Sequence, residues 1–168
     1  LSQIYGMEGK IMTSNIYWLG HDGFEIIHKE KVIYIDPFKV PENLKKADII
    51  LLTHPHFDHA SLEDVQKLLK PDTIVVGTED TVSNMGGKKR IVKVGDKINV
   101  NDTEVLAVSA YNVNKKFHPK KNGWVGYIIN IEGKKIYHAG DTDYIPEMKS
   151  YKADIALLPV SGTYVMTS

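Results

Sequence analysis

The feature that most limits what this chain can fold into is its punctuation: short apolar, β-branched segments follow one another closely, broken by Gly, Asn and Asp. Strands are expected over 15–18, 24–28, 31–35, 49–53, 73–76, 91–94 and 103–108, then over 124–131, 135–138 and 155–158. Glu132-Gly133 reads as a hairpin turn between two of them. One stretch has helical spacing, with Leu62, Val65, Leu68 and Leu69 on one face, Ser61 as N-cap and Pro71 closing the element after Lys70. Shorter helical turns are expected over 79–84 and 146–151. No repeat period is present, so the reading is a single layered α/β (α+β) domain over 1–168, mostly β. With 42% hydrophobic and 25% charged residues in 168, one core of ordinary composition can form.

Composition excludes several kinds of function. Lys plus Arg and Asp plus Glu both total 21, so no net field exists to hold nucleic acid or acidic lipid, and neither is an expected partner. Cysteine is absent, which removes disulfides, thiolate nucleophiles, iron–sulfur clusters and Cys-ligated zinc together; a metal must be held by nitrogen and oxygen. The apolar runs at 49–52 and 155–158 are far shorter than the roughly 20 residues that span a bilayer. No basic segment followed by an apolar one opens the chain, so a cytoplasmic setting is expected. The chain begins at Leu1, with Met7 and Met12 as alternative starts. Lys88-Lys89-Arg90 reads as a solvated loop, and a second group of lysines runs from Lys115 to Lys121.

The chemistry concentrates in two segments. Thr53-His54-Pro55-His56-Phe57-Asp58-His59 follows a buried-type strand and precedes the amphipathic helix. Pro55 keeps His54 out of the α region, so His54 and His56 project to the same side and converge. Asp58 and His59 lie where the chain turns into the helix and address a neighbouring point, a spacing that suits two metals. The second segment, Lys135 to Thr142, runs a strand into Gly140, whose missing side chain permits close backbone approach. Asp141, at the strand end, can place one oxygen on each of two metals.

THPHFDH and HAGDT, with GHDGF and IDPF upstream, resemble the metallo-β-lactamase superfamily, and within it the small metal-dependent hydrolases that include ascorbate-phosphate lactonases. The similarity runs over nearly the whole chain. It implies an αββα sandwich with a two-metal site: His54 and His56 on the first metal with His118, which precedes Gly126-Tyr127; Asp58 and His59 on the second; Asp141 bridging. His21 and His138 are expected to orient ligands or sit in the core, Asp36 to support the ligand loop, and His28 to be an exposed strand residue. The family also carries a later histidine, after a further helix and strand; no histidine follows His138 here, so the domain reads as incomplete at its C-terminus. Two divalent cations are expected, zinc before manganese or iron, because the donor set mixes imidazole and carboxylate. The implied activity is hydrolysis of an ester, lactone or phosphodiester by a metal-activated hydroxide, with Asp58 orienting the nucleophile or relaying its proton. Flavodi-iron relatives carry Glu where His56 stands, which disfavours redox chemistry. The partner is a small molecule, phosphorylated if the lysines around His118 attract it; a homo-oligomer through an uncovered sheet is a further expectation. The alternative is a scaffold that has lost its chemistry and serves as a binding module.

Overall fold

Alternation along the strands builds two facing sheets. The computed structural model describes residues 14–167; Met7 and Met12 lie outside them. The first sheet contains β1 (Ser14–Gly20), β2 (Gly23–His28), β3 (Lys31–Ile35), β4 (Ile49–Leu51), β5 (Ile74–Gly77) and β6 (Lys88–Ile91), adjacent in chain order. β1, β2 and β3 are antiparallel, joined by short turns. From β3 to β6 the strands run parallel, with α1 (Leu62–Leu68) and α2 (Glu79–Val82) in the last two crossovers. The second sheet contains β7 (Lys97–Val100), β8 (Thr103–Ser109), β9 (Val125–Ile131), β10 (Lys134–His138) and β11 (Ile155–Leu157), in the order β11-β10-β9-β8-β7. Only its β10–β11 pair is parallel.

Period two decides which residues enter which layer. Ile33 and Ile35 of β3 and Ile49 and Leu51 of β4 face the second sheet, where they join Val105, Tyr127, Ile129 and Ile136 in one buried cluster. The intervening Val32, Tyr34, Ile50 and Leu52 face the other way and pack under Val65 and Leu68 of α1. Beyond the second sheet, Val108, Ile128 and Tyr137 meet Met148 and Tyr151 at the 3-10 turn Pro146–Ser150. The layering is that of the expected sandwich, and among the described residues the outer cover of the second sheet is that short turn. Among the described residues no helix is long and apolar enough to cross a membrane.

Ser61 caps α1 as its position predicts: its Oγ accepts from the Asp64 amide and donates to the Asp64 carboxylate at 2.6 Å. Asp64 in turn accepts from the amides of Lys39 and Val40, which ties the helix start to the loop after β3. Three expectations need correction. Lys88 to Arg90 form part of β6, a fully exposed edge strand, because β5 supplies a parallel ladder that needs no apolar face. The strand expected over 91–94 consequently ends at Ile91, and β7 forms where none was expected. His28 is buried, since it shares the inner face of β2 with Ile26; its Nε2 lies 3.5 Å from Glu132 in the β9–β10 turn.

Candidate metal centre

The candidate site lies where β3, β4 and β10 end and where the loop before β9 meets them. Asp36, directly after β3, is fully buried and organises the loop that follows β4. Its Oδ1 accepts from the Thr53 amide at 2.8 Å, and its Oδ2 accepts from the Thr53 hydroxyl at 2.5 Å and from His59 Nδ1 at 2.8 Å. Because the Thr53 proton is committed to Asp36, the 3.0 Å contact between Thr53 Oγ1 and His54 Nδ1 requires the imidazole to donate. His54 therefore presents Nε2 as a lone pair toward the site. Across from this loop, Gly140 has φ of 62°, and a Cβ there would stand 3.1 Å from Thr53 Cβ. That close approach brings Asp141 against the histidine loop.

Two clusters result. In one, His56 Nδ1 lies 3.0 Å from His54 Nε2 and 3.2 Å from His118 Nε2. Two nitrogens bound at 2.0–2.1 Å to one tetrahedral cation stand about 3.3 Å apart, so the three imidazoles are spaced as ligands of a single ion. In the other, Asp58 Oδ2 lies 4.0 Å from His59 Nε2 and 3.0 Å from His21 Nε2. Asp141 Oδ2 stands between them, 3.2 Å from His118 Nε2, 3.4 Å from His59 Nε2 and 3.9 Å from His54 Nε2.

The electrostatics divide the imidazoles. Burial pushes His54 far below the usual imidazole range, and burial with the neighbouring His118 lowers His56. For His59, burial opposes protonation, but the carboxylates of Asp141 and Asp36 outweigh it and lift the imidazole to about 11. Burial alone would raise Asp141, yet His118 and His59 hold it well below the ordinary carboxylate range. Burial brings Asp22 up to about 6 against the pull of His138. His59 Nε2 is buried with no aligned hydrogen bond, although its Nδ1 is fixed by Asp36. Lone pairs converging from imidazoles, carboxylates gathered around them and an orphaned ring nitrogen together fit divalent cations.

All six expected ligands, His54, His56, Asp58, His59, His118 and Asp141, are thus gathered at one place. Asp36 supports the ligand loop as its sequence position suggests. His138 is buried, donating from Nε2 to the Asp22 carbonyl at 2.9 Å and accepting at Nδ1 from the Gly140 amide. His21 is not in the core; it is half exposed beside Asp58, on left-handed backbone (φ 51°) in the β1–β2 turn. Three residues at the site, Trp124, Asn112 and Asp22, had no expected role. Trp124 packs its indole against His54, His56 and His118, with ring centroids 5.0–5.7 Å away, and donates to Asp80. Asn112 donates from its backbone to the His118 carbonyl and from its side chain to the Phe117 and Tyr164 carbonyls. Asp22 lies in GHDGF, where a signal was available; nothing in sequence marks Trp124 or Asn112.

The family model of a beta-lactamase superfamily domain matches residues 15–168. A metal-dependent hydrolase of Thermoplasma acidophilum is 36% identical over an alignment covering 90% of this chain and 72% of that protein. The chain belongs to the β-lactamase superfamily. Its similarity to the metal-dependent hydrolases of that superfamily extends to solved structures. A candidate metal-dependent hydrolase from Parabacteroides distasonis superposes with a TM-score of 0.86 at 35% identity, covering 92% of this chain and 73% of the other. Igni18, a metallo hydrolase of Ignicoccus hospitalis, gives 0.71 at 26% identity with the same coverage. A cavity of about 940 Å³ opens over both clusters, with His21, Asp58, His118 and Asp141 in its wall.

Proposed function

We propose that this chain hydrolyses an ester, lactone or phosphodiester bond with two divalent cations, zinc before manganese or iron. His54, His56 and His118 would hold one and Asp58 and His59 the other, with Asp141 within reach of both sets. The observation that carries this reading is the approach of three imidazole nitrogens to 3.0–3.2 Å, with the Asp141 carboxylate linking them to His59. Divalent cations held there would supply Lewis acidity for activating a water near neutral pH.

The remaining work falls to the chain. Asp36 fixes the tautomers of His54, through Thr53, and of His59 directly, so that Nε2 of each faces the centre. Asp58, partly open to the cavity, orients the attacking water and passes its proton toward the leaving group. His21 holds the Asp58 carboxylate at 3.0 Å and limits its swing. Trp124 packs against all three imidazoles of the first cluster and restricts their rotation.

Metal content per chain by elemental analysis, with intact mass, tests the reading first. About two equivalents, together with turnover in a panel of esters, lactones and phosphodiesters, is the expected result. A metal-loaded protein inactive across that panel overturns it in favour of a binding module.

A further inference from the structure

Large apolar side chains at a protein surface are ordinarily scattered, but here they gather at the mouth of the cavity that opens over the two clusters. Trp18, Phe57, Phe117, Val160 and Tyr164 line it, and each is at least half exposed. This wall is anchored to the chemistry. The Phe117 and Tyr164 rings lie 5.2 Å apart, the Asn112 side chain donates to the Tyr164 carbonyl at 2.6 Å, and the Met166 amide donates to the carbonyl of Thr142, next to Asp141. Asp58 and Asp141 in its wall belong to the proposed ligand set, and among the described residues no lysine or arginine lines the cavity. Two of the four lysines near His118 are engaged elsewhere: Lys115 pairs with Asp143, and Lys120 lies 3.0 Å from Glu147 and 3.3 Å from the Tyr111 hydroxyl.

We infer that the substrate is an uncharged carboxylic ester or lactone whose acyl or alkyl portion is apolar and lies against Phe57, Phe117, Val160 and Tyr164. The inference rests on the hydrolase reading above. A sugar phosphate or nucleotide would leave the anionic groups remote from the metal site among aromatic and aliphatic side chains, stripped of water and without a lysine or arginine from the wall. An alkyl chain meets surface that is otherwise wet, and each methylene withdrawn from water strengthens binding about fourfold. In the reaction, a water oxygen bonds to the acyl carbon and the bond from that carbon to the alkoxide oxygen breaks. The proton given up by the water ends on the alkoxide, leaving an alcohol and a carboxylic acid, or a single hydroxy acid from a lactone.

The test uses the metal-loaded protein with 4-nitrophenyl esters from acetate to octanoate and alkyl lactones of matching length. These are set against bis(4-nitrophenyl) phosphate, a cyclic nucleotide and a phosphorylated sugar lactone. The expected result is a kcat/KM that climbs with chain length, by up to about fourfold per methylene, and exceeds that for every anionic substrate. Val160→Lys should flatten the climb while metal content stays at the wild-type value. A flat chain-length series, or faster turnover of any anionic member, overturns the inference and leaves the hydrolase reading standing. Binding of octanamide, read as a tryptophan fluorescence change that disappears in Trp18→Phe, needs no turnover. Its presence in a protein inactive on every substrate retains the apolar site while the hydrolase reading falls; its absence from an active protein removes the apolar site alone.

Discussion

The two clusters of the centre are built to different tolerances. Around His56 the ring nitrogens close to 3.0 and 3.2 Å, with His54 and His118 buried and Trp124 packed on all three rings. Around His59 the nearest partner from the same loop, Asp58, is 4.0 Å away and is drawn toward the half-exposed His21 instead. One cluster already has the spacing of ligands to a single ion; the other would have to close on one. Pre-organisation of this kind reduces what binding must spend on ordering side chains, so the first cluster should bind more tightly than the second.

The strongest way to break that contrast is His56→Ala, which removes the nitrogen common to both short contacts. Turnover should fall by on the order of a thousandfold or more, with loss of the tighter metal equivalent by elemental analysis. Unchanged metal content would show that His56 is not a ligand. Asp36→Asn comes next, because one carboxylate orients His54 through Thr53 and His59 directly. Both equivalents should weaken, each by about 10- to 100-fold in calorimetric titration; an effect confined to one would mean that the clusters are oriented separately. His21→Ala sharpens the comparison, since it frees only Asp58. The weaker equivalent should lose about tenfold in affinity while the tighter one is unaffected.

The smallest effect on the centre belongs to Asp64→Asn, at the helix start below the ligand loop. Both metal affinities should be unchanged, while the fold loses about 1–3 kcal/mol in urea unfolding at pH 7. Burial raises the Asp64 carboxyl, but the Ser61 hydroxyl, the Lys39 and Val40 amides and the Lys67 charge outweigh it and lower it below its ordinary value. A carboxyl lowered on folding contributes stability above its unfolded value near 4, and loses that contribution as pH falls through its folded value. The gap between wild type and variant should accordingly narrow below about pH 4.

Much of the site was legible because its donors are contiguous. Four of the six expected ligands fall within His54 to His59, and alternation about Pro55 is enough to separate them into two groups. Asp141 was marked by the Gly140 turn beside it. The supporting residues were not, since Trp124 and Asn112 acquire their roles only when the second sheet folds over the first, and neither residue type specifies such a contact in advance. The same holds for strands. Alternating apolar residues revealed β2, β3 and β8, whereas β6 is three basic residues and one exposed isoleucine and owes its structure to the backbone of β5. His28 misled for a related reason: its face of β2 is set by Phe24 and Ile26, not by its own polarity.

His54, His56, Asp58 and His59 hang from the end of β4 in one sheet, while His118 and Asp141 flank β9 and β10 of the other. The centre is thus also a seam. Whatever cation lies across it joins segments that are remote along the chain, and such a clasp acts as a cross-link does, by denying the unfolded chain the loop it would otherwise open. The donors that serve chemistry are, in mechanical terms, the stitching between the two halves of the sandwich.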